Sequence, residues 1–285
     1  MTVMVLGASG MLGHAVVRVF AERMAPSAIV AVARSTDIRG RFPEIADIRM
    51  LTGVDVENPD ALLSALERSR PTTVINCVGV IKQRDEADDP LVVLPINSVF
   101  PHRLWRMCRM AGAKLVHIST DCVFDGARGR YSEGDVPNAA DLYGISKHLG
   151  EVMGPGAVTL RTSIIGHELR GSHGLIEWFL AQRGTVRGFT KAVFSGLPTM
   201  ELARVIRDHV VSRPGLEGLY HVAAAPISKF ELLSMVADVY GKDIGIIPDD
   251  GYRIDRSLDG AKFNQATGYS APGWRDLVET MFKYR

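Results

Sequence analysis

Short apolar runs without internal alternation recur along the chain, at residues 2–6, 28–33, 73–77, 114–118 and 157–161. Runs of this kind suit parallel strands covered on both faces, whereas alternation of apolar and polar positions marks a sheet with one wet face. Arg49–Leu51 reads as one further strand. Between the runs the apolar period becomes helical: Ala15, Val16, Val19 and Phe20 share a face, and residues 59–70 form an amphipathic helix with Asn58 as N-cap. This alternation predicts an α/β fold, a doubly wound parallel sheet. The charged, aperiodic segment 82–89 reads as an exposed loop, followed by helix to Met110.

Beyond Arg161-Thr162-Ser163 the rhythm changes. An apolar, aromatic helix (Leu175, Ile176, Trp178, Phe179) lies within 171–182, and residues 184–198 are rich in glycine and turn formers. Thr199 is expected to cap a helix to about 212, and 219–223 reads as another short strand. Ser228-Lys-Phe-Glu231 is a capping box opening the next helix. Residues 244–247 read as an edge strand, and helices near 260–267 and 274–284 follow.

With 285 residues the chain has room for one or two domains and can bury about 75% of its unfolded surface. Its 46% hydrophobic and 23% charged content is ordinary for a globular protein. A net charge of +1 gives no reason to expect a nucleic-acid or membrane-surface partner. Cys77, Cys108 and Cys122 lack CxxC spacing and read as reduced thiols, with no metal expected. No signal peptide is recognised, and the apolar runs are too short to span a bilayer; a soluble, cytoplasmic protein is expected.

Two stretches carry candidate chemistry. The first strand runs into Gly7-Ala-Ser9-Gly10-Met11-Leu12-Gly13 and then a helix, the setting in which a dinucleotide pyrophosphate rests on a helix N-terminus. The next strand ends at Arg34-Ser35, where a carboxylate would select NAD and an arginine accommodates a 2′-phosphate. Arg34 therefore points to NADPH, with Arg39 and Arg41 as helpers; NADH stays an allowed alternative. The second stretch is His117-Ile-Ser119-Thr120-Asp121-Cys122, then Val123-Phe-Asp-Gly126, Tyr131-Ser-Glu133 and Tyr143-x-x-x-Lys147. Tyr143 and Lys147 share a helix face, and a lysine beside a phenol is expected to lower its pKa. The pair is a candidate proton donor to a substrate oxygen, with Ser119 or Thr120 as a second hydroxyl.

This ordered set resembles the extended short-chain dehydrogenase/reductases, and within them the dTDP-4-dehydrorhamnose reductase branch. Its G-x-x-G-x-x-G spacing is the one found in short-chain reductases. The resemblance implies a Rossmann sheet formed by residues 1–163 plus a return segment at about 199–222. It also implies a smaller C-terminal α/β substrate lobe formed by 164–198 and 223–285, with the site between the two. It further implies cofactor contacts from Asp55-Val56, from Cys77-Val78-Gly79 and from Asn97, which in the family holds a water behind the lysine. Tyr143 is then the proton donor, Lys147 binds the nicotinamide ribose, and Thr120 donates to the carbonyl oxygen. Asp121, Cys122 and Ile164 face the sugar, and Arg253 and Arg256 meet the diphosphate of a nucleotide sugar. A homodimer is allowed.

The activity implied is NADPH-dependent reduction of a nucleotide-linked 4-keto-6-deoxy sugar. Cys122 and Ile164 stand where such reductases often have tyrosine and tryptophan, which leaves the identity of the sugar open. A 4,6-dehydratase is disfavoured because Asp121 is followed by Cys122 rather than glutamate. An epimerase of the same superfamily stays open, as does a non-catalytic role like that of the methionine adenosyltransferase regulatory subunit. Pro101 adds a backbone expectation: it lacks the N–H that would bond the Asn97 carbonyl. The helix should then bend there and free an acceptor for the water behind Lys147.

Overall fold

The structure, a computed structural model, describes residues 1–82 and 88–285. Most of the charged segment expected as a loop, residues 83–87, lies outside the described residues. The first strand shows why the apolar runs do not alternate. In β1 (Val3–Leu6), Val3 and Val5 enter one core and Met4 and Leu6 another, so both faces are covered. The chain continues through α1 (Met11–Ala21), β2 (Ile29–Val32), β3 (Arg49–Leu51), α2 (Pro59–Ser69), β4 (Thr73–Asn76), α3 (Pro90–Leu94) and α4 (Phe100–Met110). Then come β5 (Lys114–Thr120), α5 (Leu142–Leu149), β6 (Ala157–Thr162), β7 (Ile164–Ile165), α6 (Leu175–Ala181), β8 (Thr185–Phe194) and β9 (Leu197–Pro198). The last elements are α7 (Thr199–Val205), β10 (Gly218–His221), β11 (Ile227–Ser228), α8 (Lys229–Tyr240), β12 (Gly245–Asp255), α9 (Ala261–Thr267) and α10 (Trp274–Lys283).

Seven strands form one parallel sheet in the order β10-β6-β5-β4-β1-β2-β3. α1, α7 and the turns extending α7 over Ile206–Val211 cover one face, and α2 and α4 the other. The strand order reverses between β1 and β4. Loops leaving their C-terminal ends diverge to opposite faces and open a crevice there, the usual ligand position in such sheets.

A second core lies under the three-stranded sheet β11-β8-β12. Ile176 and Phe179 of α6, Leu232, Leu233 and Val236 of α8, and Val278 and Met281 of α10 pack there against Val186 and Phe194. Phe263, Tyr269 and Leu277, assigned by sequence to the smaller lobe, instead enter the larger core.

Three local expectations are corrected. Residues 184–198 are not mainly turns, since ten of them form β8. Gly188, which suggested a turn, is there for packing: a Cβ would lie 2.7 Å from Ile246 Cγ2 and 2.8 Å from Phe230 Cδ2. The expected strand at 244–247 extends to Asp255 as β12. It absorbs Pro248 because it is an edge strand, and Gly251 at a register shift between Asp249 and Arg253. Thr199 does not cap α7; Pro198 holds the N-cap position and Thr199 packs beside Gly166.

Candidate active site

The glycine turn closes the β1 end of the crevice. Gly7 has φ 76°, and a Cβ on it would lie 3.1 Å from the Cys77 backbone. A Cβ on Gly13 would lie 2.0 Å from the Gly7 carbonyl oxygen, so α1 approaches the turn as only glycine permits. Gly10 donates to the Gly7 carbonyl at 2.9 Å and is the N-cap of α1, with Ser9, Met11 and Leu12 beside it. A bare turn pressed against a helix N-terminus fits a dinucleotide pyrophosphate.

Around the adenosine end, Arg34 and Ser35 lie exposed just after β2. Arg39 is paired with Asp37 at 2.6 Å, and Arg41 donates to the Leu169 carbonyl at 2.8 Å. Of the three arginines, Arg34 is therefore the one whose guanidinium has no partner among the described residues. Asp55 accepts from the Glu57 N–H at 3.0 Å, which fixes the turn after β3, and half-buried Val56 packs on the core.

At the end of β4, the Asn76 side chain accepts from the Val78 N–H at 3.1 Å and meets His117 on β5 at 3.1 Å. A Cβ on Gly79 would lie 3.3 Å from Asn97 Oδ1 and 3.9 Å from Lys147 Nζ, so the three backbones and side chains converge here. Asn97 is a clamp: Oδ1 accepts from the Val80 N–H at 2.9 Å, while Nδ2 donates to the Val80 carbonyl at 3.1 Å and to Ser146 Oγ at 3.2 Å. The helix around it widens rather than breaks. Pro95–Val99 forms a π-helical turn in which the Phe100 N–H reaches the Pro95 carbonyl, which accommodates the missing N–H of Pro101. The Asn97 carbonyl faces Gly150, where a Cβ would lie 1.9 Å away.

β5 ends in the hydroxyls. Ser119 is committed to Glu151, donating at 2.8 Å to Oε1, which leaves Thr120 as the hydroxyl facing the site. Thr120 Oγ1 accepts from the Cys122 N–H at 3.1 Å and donates to Asp121 Oδ1 at 3.2 Å. Tyr143 and Lys147 follow on α5, capped by Asp141, whose side chain accepts from the Gly144 N–H. Lys147 Nζ donates to the Ile118 carbonyl at 2.8 Å.

The electrostatics differ from the sequence expectation. Burial raises the Tyr143 phenol above its ordinary value, reinforced by Cys122 and Asp121 and opposed by a hydrogen bond from Thr120. Lys147 Nζ bonds the Ile118 carbonyl rather than the phenol, and desolvation prevails at Tyr143. Burial also lowers Lys147 to about 8, against an upward pull from Glu151. The phenol thus keeps its proton at neutral pH, as an acid must. Burial raises Asp121, with Arg256 opposing, and pushes Cys122 up to about 12.

Of the expected substrate contacts, Asp121 and Cys122 stand beside Thr120 and Tyr143. Ile164 is half-buried in β7 and packs on the larger core. Arg253 is exposed on β12, whereas Arg256 reaches the site, donating to the Phe124 carbonyl at 2.8 Å with Nη1 3.7 Å from Cys122 Sγ. Tyr131 and Glu133 are braces: Tyr131 stacks on Phe124 at 4.2 Å and donates to Asp125 at 2.7 Å, and Glu133 accepts from the His221 N–H at 2.7 Å.

The sequence reading missed Glu151, Arg161 and Lys229. Arg161 is bidentate to Glu151 at 2.6 and 2.7 Å. The signal available was Glu151 four residues beyond Lys147, just past the Gly150 C-cap of α5. Two cavities of about 360 and 310 Å³ lie elsewhere, the larger at the opposite end of the sheet around Lys114 and Gly156.

Residues 1–284 match the family described as RmlD substrate binding domain. A probable low-salt glycan biosynthesis reductase of Haloferax volcanii is 28% identical over 85% of this chain and 81% of its own length. A dTDP-4-keto-6-deoxy-D-glucose reductase of Streptomyces niveus is 26% identical over 99% and 92%. Methionine adenosyltransferase 2 subunit beta of Danio rerio is 27% identical over 84% and 73%. Among solved structures, a dTDP-4-dehydrorhamnose reductase from Bacillus anthracis in complex with NADP superposes with a TM-score of 0.80 at 21% identity, covering 100% of both chains.

Proposed function

Because the chain belongs to the RmlD substrate binding domain family, we propose that it reduces the 4-keto group of a nucleotide-linked 6-deoxy sugar with NADPH. The observation that carries this reading is the convergence of Thr120, Tyr143 and Lys147 at the β5 end of a crevice whose other wall is a glycine turn fit for a dinucleotide. Bound there, the nicotinamide would supply the hydride. Thr120 orients the carbonyl oxygen, and Tyr143, protonated at neutral pH, gives that oxygen its proton, a role typically worth about 10²–10⁴-fold. Lys147, held by the Ile118 carbonyl, keeps ammonium donors for the cofactor ribose and for Tyr143 as it loses its proton. Arg34, whose guanidinium has no partner among the described residues, would favour NADPH over NADH.

Two further readings have relatives or neighbours behind them. The likeness to a methionine adenosyltransferase beta subunit keeps a regulatory role in view, and a UDP-glucose 4-epimerase from Thermus thermophilus shares the fold. The test is NADPH consumption against a panel of enzymatically generated 4-keto nucleotide sugars. Oxidation with at least one of them supports the reductase. No oxidation, together with co-purification of a synthetase, favours the regulatory reading, and interconversion by retained NAD without added reductant favours the epimerase.

A further inference from the structure

Lys229 opens α8 directly after the N-cap Ser228, inside the Ser228–Glu231 capping box, whose hydrogen bonds do not involve its side chain. It is half-buried, yet its ammonium has neither a hydrogen bond nor an ion pair among the described residues. The other half-buried or buried lysines do: Lys114 and Lys242 each donate to two carbonyls, and Lys147 to Ile118. An unpaired ammonium withdrawn from water costs free energy unless a ligand completes it.

The sheet register brings the start of α8 and the end of β12 to one row. Ser228 and Asp255 both pair with Val193 on β8, so they form one row across the three-stranded sheet. Lys229, the first residue of α8, and Arg256, just after β12, each follow that row by one residue, β11 and β12 running in opposite directions. Both are delivered from the smaller lobe to the same corner of the larger one. Arg256 reaches Cys122, and Asp121 and Arg256 are the charged groups that act on Lys229. Burial lowers the Lys229 ammonium, while Asp121 pulls it back up. Lys229 and Asp121 nevertheless form no ion pair with each other. Two cations therefore face one carboxylate, itself biased by burial toward its neutral form, beside Thr120 and Tyr143.

We infer that Lys229, with Arg256, binds an anionic oxygen group of the substrate next to Tyr143. The inference rests on the nucleotide-sugar reading above. Two parts of such a substrate offer this chemistry: the phosphate attached to the sugar, or a carboxylate on the ring. Lysine acts as a point charge and arginine as a planar fork, so together they serve either group. Lys229 is then a residue that selects the substrate and sets its pose against Tyr143, without giving a proton itself.

The test replaces the charge and keeps the length: Lys229→Met, with Lys229→Arg as the conservative partner. Calorimetry would measure binding of a nucleoside diphosphate, a neutral nucleotide sugar and a nucleotide uronate, in the presence of NADP. Lys229→Met is expected to weaken at least one of these about tenfold, to leave NADPH affinity unchanged, and to be largely rescued by Lys229→Arg. Equal losses for all three ligands identify the phosphate; a loss confined to the uronate identifies a carboxylate. Changes below twofold for every ligand, or no rescue by arginine, overturn the inference. Wild-type protein that binds no nucleotide sugar would overturn the functional reading as well, so the two failures are distinguishable. A thermal melt of Lys229→Met matching wild type shows that the loss is local.

Discussion

Replacing Glu151 by glutamine tests how much the site depends on the ion pair beneath it. Glu151 and Arg161 have side-chain exposures of 2% and 3%, and two hydrogen bonds of 2.6 and 2.7 Å join them. Ser119 and His148 occupy the remaining acceptor positions at 2.8 and 2.9 Å. The amide keeps an acceptor for Ser119 but turns N–H donors toward the guanidinium, leaving a buried cation uncompensated. Removing one partner of such a pair costs about 3–5 kcal/mol. With an unfolding entropy of ~2.1 cal/mol/K per residue over 285 residues, the melting temperature should fall by roughly 5–8 °C. Adding Arg161→Met should recover part of that loss, because the stranded charge is gone. The sign with pH follows from the carboxylate. Burial alone would raise Glu151, but Arg161 outweighs it and the folded pKa lies below the ordinary value. The pair's contribution is therefore full above the unfolded pKa of about 4.3 and is lost as pH falls through the lower folded value. Urea denaturation of both variants at neutral and acidic pH measures this. A Glu151→Gln loss below about 1 kcal/mol at pH 7, or a double variant less stable than the single one, would refute the reasoning.

Arg34→Ala should weaken NADPH binding about tenfold and leave NADH nearly unchanged, because the Arg34 guanidinium has no partner among the described residues to lose; equal losses measured by fluorescence titration would remove it from 2′-phosphate selection. The rate should also decline as pH rises through about 8, where Lys147 loses its proton; a kcat/KM profile flat from pH 7 to 9.5 would contradict the role given to the ammonium.

Most of the larger unit was legible because its strands are buried on both faces. An unbroken apolar run fills β1, while β4 and β6 set only a few polar residues among apolar ones, and the glycine turn has positions where a Cβ would collide with backbone. The smaller lobe was harder. β8 and β12 carry glycine, proline and paired aspartates that usually mark turns, and only the packing of Phe230 and Ile246 over Gly188 shows one of those glycines to be a core residue. Within the site, the residues on one short stretch were visible as a spacing. Glu151, Arg161 and Lys229 were not, because their roles depend on contacts between β5, α5, β6 and the start of α8. The raised Tyr143 phenol was hidden for the same reason: the residues 143 and 147 specify proximity along a helix, while burial and the Ile118 carbonyl decide the charge balance.

The central claim is that Tyr143 protonates the oxygen of a substrate ketone reduced by NADPH. Its most direct test is a single-turnover measurement of NADPH oxidation with a 4-keto nucleotide sugar, comparing wild type with Tyr143→Phe. The account predicts that the variant binds NADPH with nearly unchanged affinity and that its chemical step slows by about 10²-fold or more. A variant that retained more than about a tenth of the wild-type rate in that step would contradict it.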